Sequence, residues 1–173
     1  DTKGCIGRGV VDFTDDGITN MSVSTGTTAS LGNASGMATG TNGLVSVSYR
    51  GIENFWGNIW KFVDGINIKN YIPYVSDNGY VSDKFDAPYT PLNGSLSTVS
   101  GYMSDIINYD SGLLPLKATG SSTTRFYDYY YCSPNSGNFV VILGGDWDNG
   151  GRAGAFSWSS KISSGDLDRS IAS

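Results

Sequence analysis

The chain of 173 residues carries 11 Lys and Arg against 16 Asp and Glu, a formal charge of −5, and no histidine. This balance argues against a nucleic-acid partner, which needs clustered cations to neutralise phosphates, and the missing imidazole removes every Ser-His or Cys-His nucleophile pair. Only 16% of the residues are charged while Gly, Ser, Thr, Asn and Tyr are abundant, a profile closer to extracellular or virion β-rich proteins than to cytosolic enzymes.

A chain of this length can bury the core of one domain, so residues 1–173 read as a single domain, with 1–43 a Ser/Thr/Gly-rich strand and loop region. The start at Asp1 reads as the processed or trimmed end of something longer. Within the first part, "GVVDF" (9–13) and "LVSVSY" (44–49) read as strands joined by the flexible excursion "STGTTASLGNASG" (24–36).

The strongest periodicity follows. In "RGIENFWGNIWKFVDG" (50–65) the apolar residues Ile52, Phe55, Trp56, Ile59, Trp60 and Val63 recur at steps of three and four, which predicts a helix closed by Gly65 with its aromatic stripe filling the core. "INIKNYIPYV" (66–75) predicts a strand running into a turn around Pro73. Residues 77–116 are turn-rich, and within them 97–110 carry the pattern of a short second helix, weakened by Gly101. From Thr123 onward, "TTRFYDYYYCS", "NFVVILGGDW" and "AGAFSWSSKI" predict three consecutive strands joined by glycine-containing turns. The expected class is α+β: an antiparallel sheet with one or two helices and long irregular loops.

The apolar run at 139–143 is far too short to span a bilayer, so no membrane insertion is expected. Cys5 and Cys132 lie far apart, and their spacing does not decide between a disulfide and two free thiols, the latter being the preferred reading.

Two stretches carry a resemblance. "VSYRGIENFWGNIWKFVDGINI" (47–68) and "LGGDWDNGGRAGAFSW" (143–158) resemble the C-type lectin-like domains at the ends of phage tail and tail-fibre proteins, in particular the variable proteins diversified by retroelements. The likeness covers about the last three quarters of the chain. It implies a C-type lectin-like fold in which Gly144, Gly145 and Trp147 are scaffold and Asp146, Asp148, Asn149, Arg152, Phe156 and Trp158 form a ligand-binding surface. It further implies a virion location at an exposed tail or fibre end, a host cell-surface glycan or protein as ligand, other virion proteins as partners, and a homotrimer. One departure stands out: that family closes with an Asn-Ile-Gly-x-Arg strand, where this chain has Ser170-Ile171-Ala172-Ser173.

The residue types support binding independently, because Trp and Tyr offer large contact areas with few rotors while Gly, Ser and Asn offer adaptable hydrogen bonds. Against this stands a plain structural reading in which Asp146, Asp148 and Asn149 make Asx-turns and Trp158 is core. Alternation likewise puts Tyr127, Tyr129 and Tyr131 on one face and Tyr130 with Asp128 on the other, and the preferred reading of that cluster is structural. Calcium is not expected: "DFTDDG" (12–17) and "DWDNGG" (146–151) supply too few oxygens and match no EF-hand or calcium-lectin order. Without histidine, and with isolated cysteines, zinc and other cofactors are not expected either. Asp15-Asp16 and Asp146-Asp148 read as turn acids rather than a glycosidase pair, and the formylglycine chemistry found on the resembled fold needs two late cysteines where this chain has one. A non-catalytic binding domain is therefore expected, with a purely structural virion decoration as the first alternative and an enzyme on the same fold as the less favoured one.

Overall fold

The segment "INIKNYIPYV" turns earlier than its proline suggests. In the computed structural model, which describes residues 6–109, 112–124, 126 and 128–171, strand β4 (Lys61–Lys69) pairs antiparallel with β5 (Ile72–Val75), Lys69 opposite Ile72. The two linking residues, Asn70 and Tyr71, have φ of 51° and 66°. That double left-handed conformation is the type I′ hairpin geometry matching the right-handed twist of strands. Pro73 lies inside β5, opposite Ile68, with its carbonyl accepting from the Leu92 amide at 2.9 Å.

β4 and β5 belong to a seven-stranded mixed sheet of order β6-β5-β4-β11-β12-β10-β7, in which β6 is Thr90–Pro91, β7 Gly101–Tyr102, β10 Tyr129–Cys132, β11 Asn138–Leu143 and β12 Trp158–Ile162. The last strands do not form a meander. β12 inserts between β11, antiparallel with Leu143 opposite Trp158, and β10, parallel with Tyr130 opposite Trp158. In the middle of β11, Val140, Val141 and Ile142 are all buried, as expected for a strand covered on both faces. The hairpin of β8 (Asp105–Tyr109) and β9 (Gly112–Lys117) stands as a separate two-stranded sheet. Ile66, Ile68, Leu114, Tyr130, Val141 and Trp158 share one apolar core with Met103 and Leu96.

The expected α+β class, with its C-type lectin-like helices, is corrected here: the described residues contain no α-helix, only single 3-10 turns at Ala29–Leu31 and Gly150–Arg152. Where the aromatic helix was expected, β3 (Ile52–Glu53) gives way to a loop and then to β4. Asn54, Gly57 and Asn58 have φ of 51°, 71° and 68°, values a right-handed helix cannot contain and which Asn and Gly adopt most readily. Burial does not follow the stripe either, although Trp60 is buried. Asn54, Gly57 and Asn58 are buried, while Ile52 and Phe55 from the supposed core stripe are exposed. Gly65, expected as a helix cap, lies within β4 at φ 83°, and an added Cβ would stand 2.7 Å from the Ser76 carbonyl oxygen. The second expected helix is replaced by β7 and β8. A Cβ on Gly101 would meet the Ala118 carbonyl oxygen at 2.1 Å, so this glycine permits close strand approach.

The chain forms two compact units, one of the described residues up to Lys61 with Gly144–Ala155 and Asp168 onward, the other of Phe62–Leu143 with Phe156–Leu167. In the first, β1 (Gly36–Met37), β2 (Val47–Tyr49) and β3 make a small antiparallel sheet. "GVVDF" forms no strand, yet Val10 and Val11 are buried and its backbone is paired: the Val11 and Asp12 amides donate to the Gly43 carbonyl and the Phe13 amide to that of Trp147. The Ser/Thr-rich excursion is pinned through Glu53, whose carboxylate accepts from the Gly26 amide, both donors of Thr27 and the Thr28 hydroxyl. Burial alone would raise the Glu53 pKa, but these hydrogen bonds together hold it below the ordinary glutamate value. Cys132 is a buried free thiol. Cys5, and with it the question of a disulfide, lies outside the described residues, as does Tyr127.

Candidate functional site

The residues expected to form one ligand surface divide between the two units. Asp146, Asp148, Asn149 and Arg152 belong to the first; Phe156 and Trp158 belong to the second.

In the first unit the run after β11 turns through Gly144 and Gly145, at φ of 97° and 77°. A Cβ on Gly145 would lie 2.7 Å from the Ala153 Cβ, so only glycine lets the chain fold back this tightly. The loop is stitched in place where the Gly57 amide donates to the Gly144 carbonyl and the Gly150 amide to that of Val11. Trp147 is 1% exposed. Asp146 is also internal, at 7% exposure, with its Oδ2 accepting from the Trp60 indole at 3.1 Å and its Oδ1 without a hydrogen-bond partner. Burial pushes its pKa up to about 7, and the negative charge of Asp148 adds to the shift. Close by, the Lys61 ammonium donates to the Gly57 carbonyl at 2.6 Å. Burial lowers its pKa to about 8 against the opposing pull of Asp146.

Asp146 is thus a largely interior acid. Asn149 is committed to the turn itself, its amide donating to Asp148 at 2.9 Å and its carbonyl oxygen accepting from the Asp146 amide at 3.4 Å. Asp148 and Arg152 are exposed. At the other acidic run, Asp12 pairs with Arg8, Asp15 with Arg169, and Asp16 accepts from the Thr19 hydroxyl and the amides of Ile18 and Thr19. Among the described residues no cluster of three or more His, Cys, Asp or Glu is placed to hold a metal ion.

In the second unit Phe156 and Trp158 come together. Two residues apart on one side of the chain entering β12, they line a cleft of about 320 Å³ with Met103, Ile106, Leu113, Leu114, Phe126 and Asp128. Trp158 is 8% exposed and forms the inner wall, while Phe156 is 58% exposed at the rim. The Met103 amide donates to the Asp128 carbonyl at 2.9 Å, tying the strand ends that carry these two lining residues. The Asp128 side chain is the one acid in the lining. Burial pushes its pKa up to about 6, opposed by a hydrogen bond from the Phe156 backbone amide. Among the described residues no cation pairs with it.

The tyrosine cluster is split by strand alternation. Tyr130 is wholly buried and hydrogen-bonded to the Ser160 hydroxyl. Tyr129 and Tyr131 share the opposite, half-buried face, their rings 4.6 Å apart, with Tyr102 5.0 Å from Tyr129.

Of the residues expected at a ligand surface, Phe156 and Trp158 line this cleft, and its other lining residues lie outside that expectation. Met103 and Ile106 fall in the stretch 97–110 whose pattern suggests a short helix, and alternation places Asp128 on the face of Tyr130. The available signal was an acid inside an otherwise aromatic, β-prone run.

No helix among the described residues is long and apolar enough to cross a membrane. No family model, no curated protein and no solved structure matches this chain.

Proposed function

We propose that this chain is a non-catalytic binding domain, displayed on an extracellular or virion structural protein, that holds part of a host-surface glycan or protein in the cleft of Phe156, Trp158 and Asp128. The observation carrying this reading is Phe156, a large apolar side chain left 58% exposed at the mouth of a preformed aromatic cleft. Small-ligand sites are typically concave, mostly apolar, and furnished with a few orienting polar groups. A desolvated acid among apolar walls is the kind of perturbed group that marks such sites. The composition, poor in charge and lacking histidine, supports recognition rather than acid–base chemistry.

The test is binding of the labelled chain to a glycan array and to candidate host cells, comparing the parent with Phe156→Ala and with Asp148→Ala/Arg152→Ala. A loss of tenfold or more confined to Phe156→Ala, with an unchanged near-ultraviolet circular dichroism spectrum, is the expected result. Retention by Phe156→Ala together with loss in the loop double variant would move the site to the first unit and overturn the cleft assignment.

A further inference from the structure

The cleft lining has a chemistry more specific than apolarity. Three aromatic residues, Phe126, Phe156 and Trp158, and the thioether residue Met103 line the same cleft as one carboxylate, Asp128. Aromatic faces carry negative potential and attract cations, most of all when water is excluded. A buried carboxylate is costly unless a positive charge or hydrogen-bond donors compensate it. Elsewhere this protein fills such positions internally: Lys69 stands over Phe85 and Lys161 over Tyr131, at 5.3 and 5.4 Å from the ring centres. Among the described residues, no cation stands over Phe126, Phe156 or Trp158, and none pairs with Asp128.

Resting on the reading of this cleft as the binding site, we propose that its ligand group is a methylated ammonium, seated against the aromatic rings with its charge facing Asp128. The walls decide between kinds of cation. A primary ammonium brings three N–H donors that each need an acceptor, whereas Met103, Ile106, Leu113, Leu114 and the three rings offer almost none. A trimethylammonium head has no N–H to satisfy, presents methyl groups to the rings, and leaves its diffuse charge to the single carboxylate. A neutral apolar group of the same shape would fill the space and leave the Asp128 charge with the Phe156 amide as partner and no counter-charge. The cleft volume of about 320 Å³ is at the lower end of the roughly 300–1,000 Å³ typical of ligand pockets, suiting one compact head group rather than an extended chain.

Choline and its uncharged carbon isostere, 3,3-dimethylbutan-1-ol, separate the two contributions. The measurement is titration of the isotope-labelled full chain by amide chemical shifts, with calorimetry for affinity. Choline is expected to shift Met103, Leu114 and Trp158 and to bind at least about tenfold tighter than the isostere. Asp128→Asn is expected to abolish that preference, and Phe156→Leu, which keeps apolar area but removes the ring, to weaken choline more than the isostere. Equal affinity for the two compounds, or choline binding indifferent to Asp128→Asn, overturns the ammonium assignment while leaving the cleft as a binding site. Absence of shifts with either compound also overturns it, and the fate of the cleft reading is then decided separately by Phe156→Ala in the surface-binding assay.

Discussion

The indole Nε1 of Trp60 donates to the Asp146 carboxylate at 3.1 Å, a buried contact that satisfies one oxygen of the first aspartate of "GGDWD", an interior residue. Its partners lie 86 positions apart, and no local pattern announces the pair. Because burial and Asp148 raise its pKa from the ordinary 3.8 to about 7, the folded state retains a proton that the unfolded chain releases. Stability therefore falls as pH rises between about 4 and 7 on this group's account. Asp146→Asn keeps an oxygen for Trp60 and carries no charge, so its stability relative to the parent is expected to climb across that window. Urea denaturation at pH 4.5 and pH 8 measures the difference, and a constant offset at both would show that Asp146 is not strained by ionisation.

Glu53 has the opposite sign. Its pKa is held below the ordinary glutamate value, so its stabilising contribution is complete above that value and is lost as pH falls through the depressed folded one. Glu53→Ala removes the acceptor for four donors on residues 26–28 and is expected to cost about 2 kcal/mol at pH 7, with the difference shrinking under acid. Faster proteolysis within residues 24–36 is the accompanying readout.

Glycine substitutions should separate close approach from torsion. Gly57, at φ 71°, has no room for a Cβ, which would stand 2.7 Å from the Val10 carbonyl oxygen and 2.9 Å from Val11 Cγ1. Gly150, at φ 56°, has open space around it. Gly150→Ala is expected to cost about 1–2 kcal/mol for the left-handed backbone alone, and Gly57→Ala considerably more. Melting temperatures in that order support the account, and equal losses would contradict it.

Trp147 and Phe156 should behave as opposites. Truncating the fully buried Trp147 to alanine is expected to cost about 3–5 kcal/mol. Phe156→Ala, at an exposed rim, is expected to change stability by less than about 1 kcal/mol while reducing binding.

The strands at the end of the chain were legible in the sequence because their patterns are local: "YYYC", "NFVVIL" and "WSSKI" are β-branched or aromatic runs with turn residues between them. Their order was not, since nothing in "WSSKI" says that it enters between its two predecessors. The helix expected at 50–65 does not form, for a physical reason. Asn54, Gly57 and Asn58 interrupt the apolar stripe, and their left-handed backbone, fixed by hydrogen bonds such as Asn58 to both Val23 backbone groups, outweighs a 3.6-residue period. The cleft was half legible. Phe156 and Trp158 were singled out as neighbours on one strand face, whereas Phe126, Asp128 and Met103 reach it only through the pairing of β10 with β7 and β12, which is long-range information.

The insertion of β12 between β10 and β11 also sets an order of events during synthesis. Until residues 158–162 leave the ribosome, β10 with β7 and β11 with β4 each present an unpaired edge, the kind of edge that recruits neighbouring chains. The strand that seals both edges is the same one that carries Trp158 to the inner wall of the cleft. A nascent chain is thus without this cleft for as long as it is vulnerable to mispairing, and the cleft forms in the act of closing the sheet.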